Sequence, residues 1–346
     1  MARMGAFQKD LVTLCYHVVS DEDLAHIRLY RYKNRAEFER DVASVRDRTV
    51  GYEDVARHRL EDSRLPANSV LLTFDDGLVE CYDVIRPILL RHRVPAIFFL
   101  TTGFIDDSET FHETKLSLCL TEIERMSNAR AAEIVERLRA EGSLARQDRG
   151  FLRGATAARF RAARISKPLH PNKRTLLLWA LGLENDDTIG IERACRLLGV
   201  NVAAYRASRR LFVSSSQVRQ MAAEGFTIGA HGVNHRSLVG GSRESITREI
   251  VCSAEAIRDL TGQTHVPFAF PYEGLAIDRG ILASIRDRHP FIQLFFDSGG
   301  LHRDAPFLVN RIFADSPPDS SRSSLADTFR TASPSPYVWY RAALQR

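Results

Sequence analysis

Two aspartates, Asp75 and Asp76, stand side by side at the end of the apolar run in the segment LLTFDDG. Like charges this close raise the pKa of one carboxyl, and burial raises the pKa of both. A divalent cation would remove that conflict for one aspartate and leave the other beside a metal-bound water. The second carboxylate could then take the proton of that water as a general base. The pair therefore predicts a hydrolytic metal site.

Two histidines, His231 and His235, follow another apolar run in the segment IGAHGVNH. If the chain forms a helical turn after Ala230, a spacing of four residues points both imidazoles the same way. One carboxylate and two imidazoles with an open position are the three-ligand pattern of a hydrolytic zinc site. Such an ion lowers the pKa of its bound water to about 7 and polarises a carbonyl oxygen. Either motif alone is more typical of a turn or a capping pair, but their joint occurrence after apolar runs favours a metal site.

The elements that must position these residues alternate between apolar strands and amphipathic helices. The segments DLVTLCYH, SVLLTF and VPAIFFLTT are predicted strands, and VECYDVIRPILLRHR is a predicted helix before the third. The alternation returns at FTIGAH and continues through VPFAFPYEG, PFIQLFFDSGG and FLVNRIFAD. Strands joined by helices indicate parallel pairing, in which the carboxyl ends of the strands meet on one face.

The pattern changes between residues 106 and 210, which are rich in Arg, Glu, Ala and Leu at helical spacing. We predict a mostly helical insertion or lid at 106–210, between residues 1–105 and 211–315, which form the two parts of one barrel. Residues 316–346 are a predicted C-terminal linker and helix.

Composition excludes several classes of protein. The 346 residues are 44% hydrophobic and 26% charged, which is typical of a globular protein, and no apolar stretch is long enough to span a bilayer. The formal net charge of +5 weakly favours acidic partners, and no nucleic-acid motif accompanies it. The beginning of the chain lacks the pattern of a signal peptide, so a cytoplasmic location is predicted. Five scattered cysteines are predicted to be reduced.

Three motifs in this order resemble the signature of a known family: TFDDG, IGAHGVNHRSL and FPYEG. They are similar to those of NodB-type polysaccharide deacetylases, the family 4 carbohydrate esterases, over about residues 10–105 and 211–315. The resemblance implies an α/β fold, namely a distorted (β/α) barrel of the NodB-homology type. It also implies hydrolysis of an N-acetyl group, usually on a hexosamine in a glycan.

The resemblance also implies roles for individual residues. Asp75 would be the general base, and one divalent ion, typically zinc, would be held by Asp76, His231 and His235. The backbone N–H of Tyr272 would stabilise the oxyanion. Pro271, from the same motif, would line the substrate pocket.

Two departures from the family pattern raise questions about the base and the acid. Many members have an arginine that orients the base where this chain has Ala269, and we predict that Arg311 reaches Asp75 instead. Many members also have a Leu-x-His motif that supplies the general acid, and here His302 in GGLHRDAP is the candidate, unless it is an ordinary loop histidine. His17 is predicted to line the pocket, with a strand-end histidine bonded to the backbone as the alternative.

The expected function is a metal-dependent deacetylase, a hydrolase acting on a carbon–nitrogen bond of an amino sugar or sugar-containing precursor. One alternative is the same hydrolysis on a non-glycan small molecule. Another is a catalytically silent barrel that binds a glycan or serves as a scaffold.

The expected partner is an acetylated amino sugar or an anionic sugar precursor. Arginines of the insertion are predicted to bind the anionic part of such a substrate. The alternatives are that they coat a solvated helix or form a homodimer contact. These arginines are Arg149, Arg153, Arg159, Arg161 and Arg164.

Overall fold

The computed structural model describes residues 11–144, 163–165, 168–183, 187–300 and 304–315. These residues divide into two compact units. The first unit comprises residues 11–21, 32–109 and 211–315, and the second comprises residues 22–31 together with the described part of 110–210. The predicted domain boundaries stay a prediction. No sequence pattern predicts that residues 22–31 join the second unit.

Eight parallel strands form a nearly closed barrel in the first unit, so the predicted (β/α) barrel is confirmed. The strands pair in the order β7-β6-β5-β4-β3-β2-β1-β8. Their bounds are β1 Leu11–Tyr16, β2 Ser69–Phe74, β3 Ala96–Leu100, β4 Thr227–Ala230, β5 Phe268–Ala269, β6 Phe295–Asp297, β7 Leu308–Asn310 and β8 Ile312–Phe313.

One short segment joins the two ends of this strand order. β7 pairs with β6 and β8 pairs with β1, although only Arg311 separates β7 from β8. The N–H of Arg311 donates to the carbonyl oxygen of Asp297 at 2.8 Å, and the N–H of Ala314 donates to that of Cys15 at 2.8 Å. The two ends of the strand order therefore meet at Arg311, where the barrel is nearly closed.

The α-helices that the structure describes lie between these strands or in the second unit. In chain order they are α1 Arg35–Val45, α2 Tyr52–Leu60, α3 Arg86–His92, α4 His112–Arg125, α5 Asn128–Ala140, α6 Pro171–Leu181, α7 Thr188–Leu198, α8 Val202–Ser208, α9 Ser215–Ala223, α10 Arg243–Thr261 and α11 Arg279–Arg288. Helices α4 to α8 belong to the second unit. Shorter turns include a π-helical turn at Cys81–Ile85 and 3₁₀ turns at Arg46–Arg48 and Thr102–Asp107.

Helix α10, which follows β4, shows why the sequence forms these elements. The side chain of Ser242 accepts from the N–H of Ser245 and so satisfies one of the amides left open at the helix start. The helix ends at Gly262, whose φ of 71° is accessible to glycine without strain. Ile246, Ile250 and other residues at helical spacing are buried, which fixes the face that packs against the barrel.

Both faces of the strands are buried, as the continuous apolar runs in the sequence indicate. In β3, Phe98 belongs to the large hydrophobic cluster that contains the helices, with Phe74 stacked on it at a centroid distance of 4.9 Å. Its neighbours Ile97 and Phe99 point to the opposite face and form a second cluster with Phe296. Side chains that alternate along each strand therefore pack into the barrel interior on one face and against the helices on the other.

The second unit has its own core, in which described residues of α4 to α7 pack together. Arg28 ties residues 22–31 to this unit, because its Nε donates to Thr121 Oγ1 at 3.0 Å and its Nη2 pairs with Asp23 at 2.9 Å. The described part of this unit is helical and contains no strand, while the insertion at 106–210 as a whole stays a prediction. The cysteines are free thiols, and four of the five are buried, as expected for reduced residues. Among the residues that the structure describes, no helix combines the length and apolar character needed to cross a bilayer.

Replacing Gly229 by Ala tests how tightly β4 packs in the barrel. A Cβ at this position would lie 2.4 Å from Cδ1 of Phe99 and 2.9 Å from the carbonyl oxygen of Pro267. We expect Gly229→Ala to lower the free energy of unfolding by about 1–3 kcal/mol, because the core must shift to admit the methyl group. Urea denaturation followed by circular dichroism measures the change. The control is Gly51→Ala, whose Cβ would have no neighbour closer than 3.8 Å. Equal stability of Gly229→Ala and the wild type would contradict the prediction.

Candidate active site

Polar residues from several strands converge at the carboxyl-terminal end of the barrel. Each of them lies in the segment that follows the end of a strand, which is where active sites lie in parallel α/β barrels. They are His17 after β1, Asp75 and Asp76 after β2, His231 and His235 after β4, Tyr272 after β5, Arg311 after β7 and Asp315 after β8.

The three predicted metal ligands lie together. One ligand atom each from Asp76, His231 and His235 falls within 4.8 Å of the others. Asp76 Oδ1 lies 3.2 Å from Nε2 of His235 and 3.5 Å from Nε2 of His231. The structure therefore brings these three side chains together, and their role as metal ligands stays a prediction.

The orientation of His231 is fixed by the strand next to it. Its Nδ1 lies 2.9 Å from the carbonyl oxygen of Ala269, so this nitrogen carries the proton and donates it to the carbonyl. Nε2 then faces Asp76 and His235. A hydrogen bond of this kind on the far nitrogen is usual for histidines that bind metals, because it sets both the tautomer and the ring orientation.

No helical turn follows Ala230, so the condition under which the spacing of four residues would align the two imidazoles is not met. Residues 231–235 form an irregular loop in which Gly232 has φ of 76° and His235 has φ of 50°. Backbone N–H groups of Thr102 and Gly103 donate to the carbonyls of Gly232 and Val233, which prevents these carbonyls from accepting helical hydrogen bonds. The two imidazoles meet through this loop conformation rather than through helical spacing.

The donor set fits a divalent cation. Asp76 Oδ1 is buried and accepts no hydrogen bond from the described residues, although two imidazole nitrogens lie close to it. Burial opposes ionisation of Asp76, but His235 and His231 outweigh it and hold the pKa of this carboxyl well below its usual range. One ionised carboxylate and two imidazoles match the three protein ligands of catalytic zinc sites.

Asp75 is bound by a buried arginine and also lies near the histidine loop, with its Oδ2 3.9 Å from Nε2 of His231. Nη1 of Arg311 donates to Oδ1 of Asp75 at 2.6 Å, and Nη2 donates to Oδ2 at 2.8 Å. Nη1 also donates to Thr73 Oγ1 at 3.1 Å, and the thiol of Cys15 donates to Asp75 Oδ2 at 3.4 Å. Burial raises the pKa of Asp75, but Arg311 and His231 outweigh it, so the pKa lies below its usual value. The contact predicted between Arg311 and Asp75 is present, while its catalytic role stays a prediction.

His17 forms a second ion pair at the same end of the barrel. Its Nδ1 lies 2.6 Å from Oδ2 of Asp315, and its backbone N–H donates to Oδ1 at 2.8 Å. The ring stacks on Phe313 at a centroid distance of 5.4 Å. Burial lowers the pKa of His17, but the carboxylate of Asp315 outweighs it and raises the pKa to about 9. One ring nitrogen of His17 also lies within 4.8 Å of an oxygen of Asp75.

Asp315 is a site residue that the sequence reasoning missed. It lies 298 positions from its partner His17, and no spacing rule connects residues so far apart. The available signal was its place as the last residue of FLVNRIFAD, which is the last predicted strand segment.

The loop after β5 places Tyr272 beside the histidines. Its ring lies 4.9 Å from that of His235, and its backbone has φ of 62°, which is unusual for a residue other than glycine. Ser298 Oγ donates to the carbonyl oxygen of Tyr272 at 2.6 Å, and the N–H of Gly274 donates to Asp297 Oδ1 at 2.9 Å. Pro271 lies on the same loop, next to Gly232. These contacts from β6 hold the loop in its strained conformation.

Several predicted residues cannot be compared with the structure. His302 lies outside the described residues, as do Arg149, Arg153, Arg159 and Arg161. Arg164 is described, and its Nη2 lies 3.4 Å from Oδ1 of Asp23 within the second unit.

Comparisons with known proteins agree with this geometry. The family model described as "Polysaccharide deacetylase" matches residues 62–145 and 187–286. Among solved structures, the deacetylase PplD of Streptococcus pyogenes, in complex with acetate, is 16% identical with a TM-score of 0.53, over 94% of this chain and 98% of that chain. IcaB of Ammonifex degensii is 17% identical with a TM-score of 0.51, over 91% of this chain and 94% of that chain.

Identities this low show a shared fold, and no curated protein sequence matches the chain. The family model, however, covers more than half of the sequence, including the segments that contain Asp75, Asp76, His231, His235 and Tyr272. The chain therefore belongs to the polysaccharide deacetylase family.

Proposed function

We propose that this protein is a metal-dependent deacetylase that hydrolyses the N-acetyl group of an amino sugar or a sugar-containing precursor. The observation that carries the proposal is the ionised, arginine-bound carboxylate of Asp75 beside the cluster of Asp76, His231 and His235. Amide hydrolysis requires a base and a cation site side by side, since water must lose a proton while the carbonyl is polarised.

Asp76, His231 and His235 would hold one divalent ion, with zinc expected from the ligand types. When bound, the ion would supply Lewis-acid polarisation of the acetyl carbonyl and of the attacking water. The protein groups around it have separate tasks. The carbonyl oxygen of Ala269 orients the His231 ring through a hydrogen bond. Burial of Asp76 limits the access of competing water to its carboxylate.

Asp75 would act as the general base. Arg311 favours the ionised form of this carboxyl and fixes its plane with two parallel hydrogen bonds. Oδ2 accepts from both Arg311 and the Cys15 thiol, whereas the bond from Arg311 leaves Oδ1 a second lone pair, with which Asp75 can accept the proton of a water molecule. As that proton moves to Asp75, the water oxygen attacks the acetyl carbon.

Negative charge then develops on the carbonyl oxygen, and the backbone N–H of Tyr272 would donate to it. This role is supported by the loop contacts from Ser298 and Asp297, which hold the peptide groups around Tyr272 in one conformation before substrate binds. Pre-organised donors of this kind need no rearrangement at the moment of reaction.

His17 would protonate the leaving amine. Asp315 keeps its imidazole charged, and the ring lies within reach of the Asp75 carboxylate. Transfer of that proton to the amide nitrogen allows the carbon–nitrogen bond to break, which yields acetate and the free amine. His302 stays a sequence-based alternative for the same proton.

Two broader alternatives concern the substrate and the activity. Hydrolysis of a non-glycan amide would use the same residues, since barrel enzymes change substrate through their loops. A silent barrel would have no need for two ion pairs at this end of the strands, so the pairs of Asp75 with Arg311 and of His17 with Asp315 favour an enzyme. The cytoplasmic location and the anionic precursor stay predictions.

The first prediction separates the roles of the two aspartates. The assays are acetate release, from oligomers of N-acetylglucosamine and from a non-sugar acetamide, and the metal content of the protein. Acetate release by the wild type is expected to stop when the metal is removed by a chelator and to return when Zn²⁺ is added. Asp75→Asn should keep the metal but lose about 10²–10⁴-fold in turnover, because only the base is removed. Asp76→Asn should lose metal affinity first. Equal metal loss in both variants would contradict these roles, and no acetate from any substrate with metal bound would favour the silent barrel.

The second prediction concerns Arg311. Arg311→Lys keeps a positive charge but loses the two-pronged contact, so the pKa of Asp75 should rise. A base with a higher pKa is protonated at higher pH, and the acid limb of the kcat/KM profile should move to higher pH. Metal content and the circular dichroism spectrum show whether the variant is folded and loaded. An acid limb at the wild-type position would rule out Arg311 as the group that keeps Asp75 ionised.

The third prediction concerns the proton donor. With the pKa of His17 raised to about 9, wild-type activity should decline as pH rises through that value. Asp315→Asn removes the carboxylate that raises this pKa, so the alkaline limb should move to lower pH. His17→Gln should lower kcat by about 10²–10⁴-fold without changing metal content. If the alkaline limb stays in place in Asp315→Asn, another group donates the proton, and His302→Gln becomes the variant to measure.

A further inference from the structure

The loop at residues 231–235 carries two of the three proposed ligands but has no regular secondary structure. An irregular loop must be held by specific contacts if the ligand atoms are to stay within reach of one ion. The ring of His231 is fixed by Ala269, and the backbone between His231 and His235 is fixed by other groups.

One side of the loop is held by the turn after β3. The N–H of Thr102 donates to the carbonyl oxygen of Gly232 at 3.1 Å, and the N–H of Gly103 donates to that of Val233 at 2.9 Å. The approach is close, because a Cβ at Gly103 would lie only 2.5 Å from the carbonyl oxygen of Val233. These contacts satisfy carbonyl groups of the loop and leave its N–H groups to other partners.

The other side of the loop is held by helix α10. Glu249 Oε2 accepts from the N–H of Val233 at 2.9 Å, so Val233 is bonded on both sides of the loop. Gly232 adapts to this arrangement, since its φ of 76° suits glycine and a Cβ there would lie 3.5 Å from Glu249 Oε2.

Glu249 lies on a helix that is packed against the hydrophobic core. Its neighbours on α10, Ile246 and Ile250, are buried in the hydrophobic core of the first unit. The carboxylate is half-buried and is not one of the clustered ligand atoms found among the described residues. It therefore touches the backbone of the loop rather than the proposed ion.

We infer that Glu249 is a positioning residue that sets the geometry of the metal ligands by clamping the amide of Val233 to α10. The inference rests on the proposed metal site and adds a residue to it. The role requires an acceptor oxygen at the right distance and does not require the negative charge itself. Charge and reach can be separated by substitution.

Three variants of the protein separate the effect of the charge of Glu249 from the effect of its reach. Glu249→Ala removes the acceptor, Glu249→Asp keeps the charge but shortens the reach, and Glu249→Gln keeps both the reach and an acceptor oxygen. The matched control is Glu255→Gln, which removes a carboxylate from the same helix. Zn²⁺ affinity is measured by competition with a chelator, and the visible absorption of the Co²⁺-loaded protein reports ligand geometry independently of activity.

We expect Glu249→Ala and Glu249→Asp to bind Zn²⁺ about 10–100-fold more weakly and to show an altered Co²⁺ spectrum, as is typical when a group that supports metal ligands is removed. Glu249→Gln and Glu255→Gln should stay within about 3-fold of the wild type, because the amide oxygen of Gln can accept the same hydrogen bond. Circular dichroism of the metal-free proteins checks folding. If Glu249→Ala does not fold, the comparison of Asp with Gln decides the matter.

Two results would overturn the inference. Wild-type affinity in Glu249→Ala or Glu249→Asp would show that the loop does not need this clamp. Equal weakening in Glu249→Gln and Glu249→Ala would show that the charge, rather than the position of the oxygen, matters. In either case the proposed function stands if the wild type binds Zn²⁺, whereas failure of the wild type to bind Zn²⁺ or Co²⁺ removes the metal site itself.

Discussion

The buried ion pair between Arg311 and Asp75 is the constraint on which the rest of the barrel depends. Arg311 is completely buried, and a buried charge without a partner costs several kcal/mol. It occupies the single position between β7 and β8, so it lies where the two ends of the strand order meet. Its guanidinium also lies 5.2 Å from the centre of the Phe99 ring, inside the barrel. Closure of the sheet and orientation of the proposed base are therefore one structural requirement.

The same principle organises the other charges at this end of the barrel. His17 pairs with Asp315, and Asp76 faces the imidazoles of His231 and His235. In each case the partners follow different strands, so no charge is neutralised within its own loop. Pairing across strands gives the site rigidity, because each charged group is held by a partner that follows another strand. Rigidity of this kind is what electrostatic stabilisation of a transition state requires.

How far the sequence predicts this arrangement depends on the kind of residue. Strand ends were predictable from apolar runs, and Arg311 was predictable because Ala269 left a buried carboxylate without a cation. The conformation after Ala230 was not, because tertiary contacts from Thr102 and Gly103 override the helical spacing. Asp315 and residues 22–31 were missed for a common reason. Their partners are distant in the chain, and pairing at such a distance is decided by topology rather than local pattern.

The separation of Arg311 from Asp75 by 236 positions has a consequence for biosynthesis. During translation the first six strands can assemble from the N-terminus, but β1 and β6 keep unpaired edges until residues 308–313 leave the ribosome. Until then Asp75 lies in the growing barrel without its guanidinium partner. Contacts of such sequence separation fold slowly, and open strand edges pair readily with other chains. The nascent protein thus depends on one late segment both to seal its edges against aggregation and to neutralise its buried carboxylate.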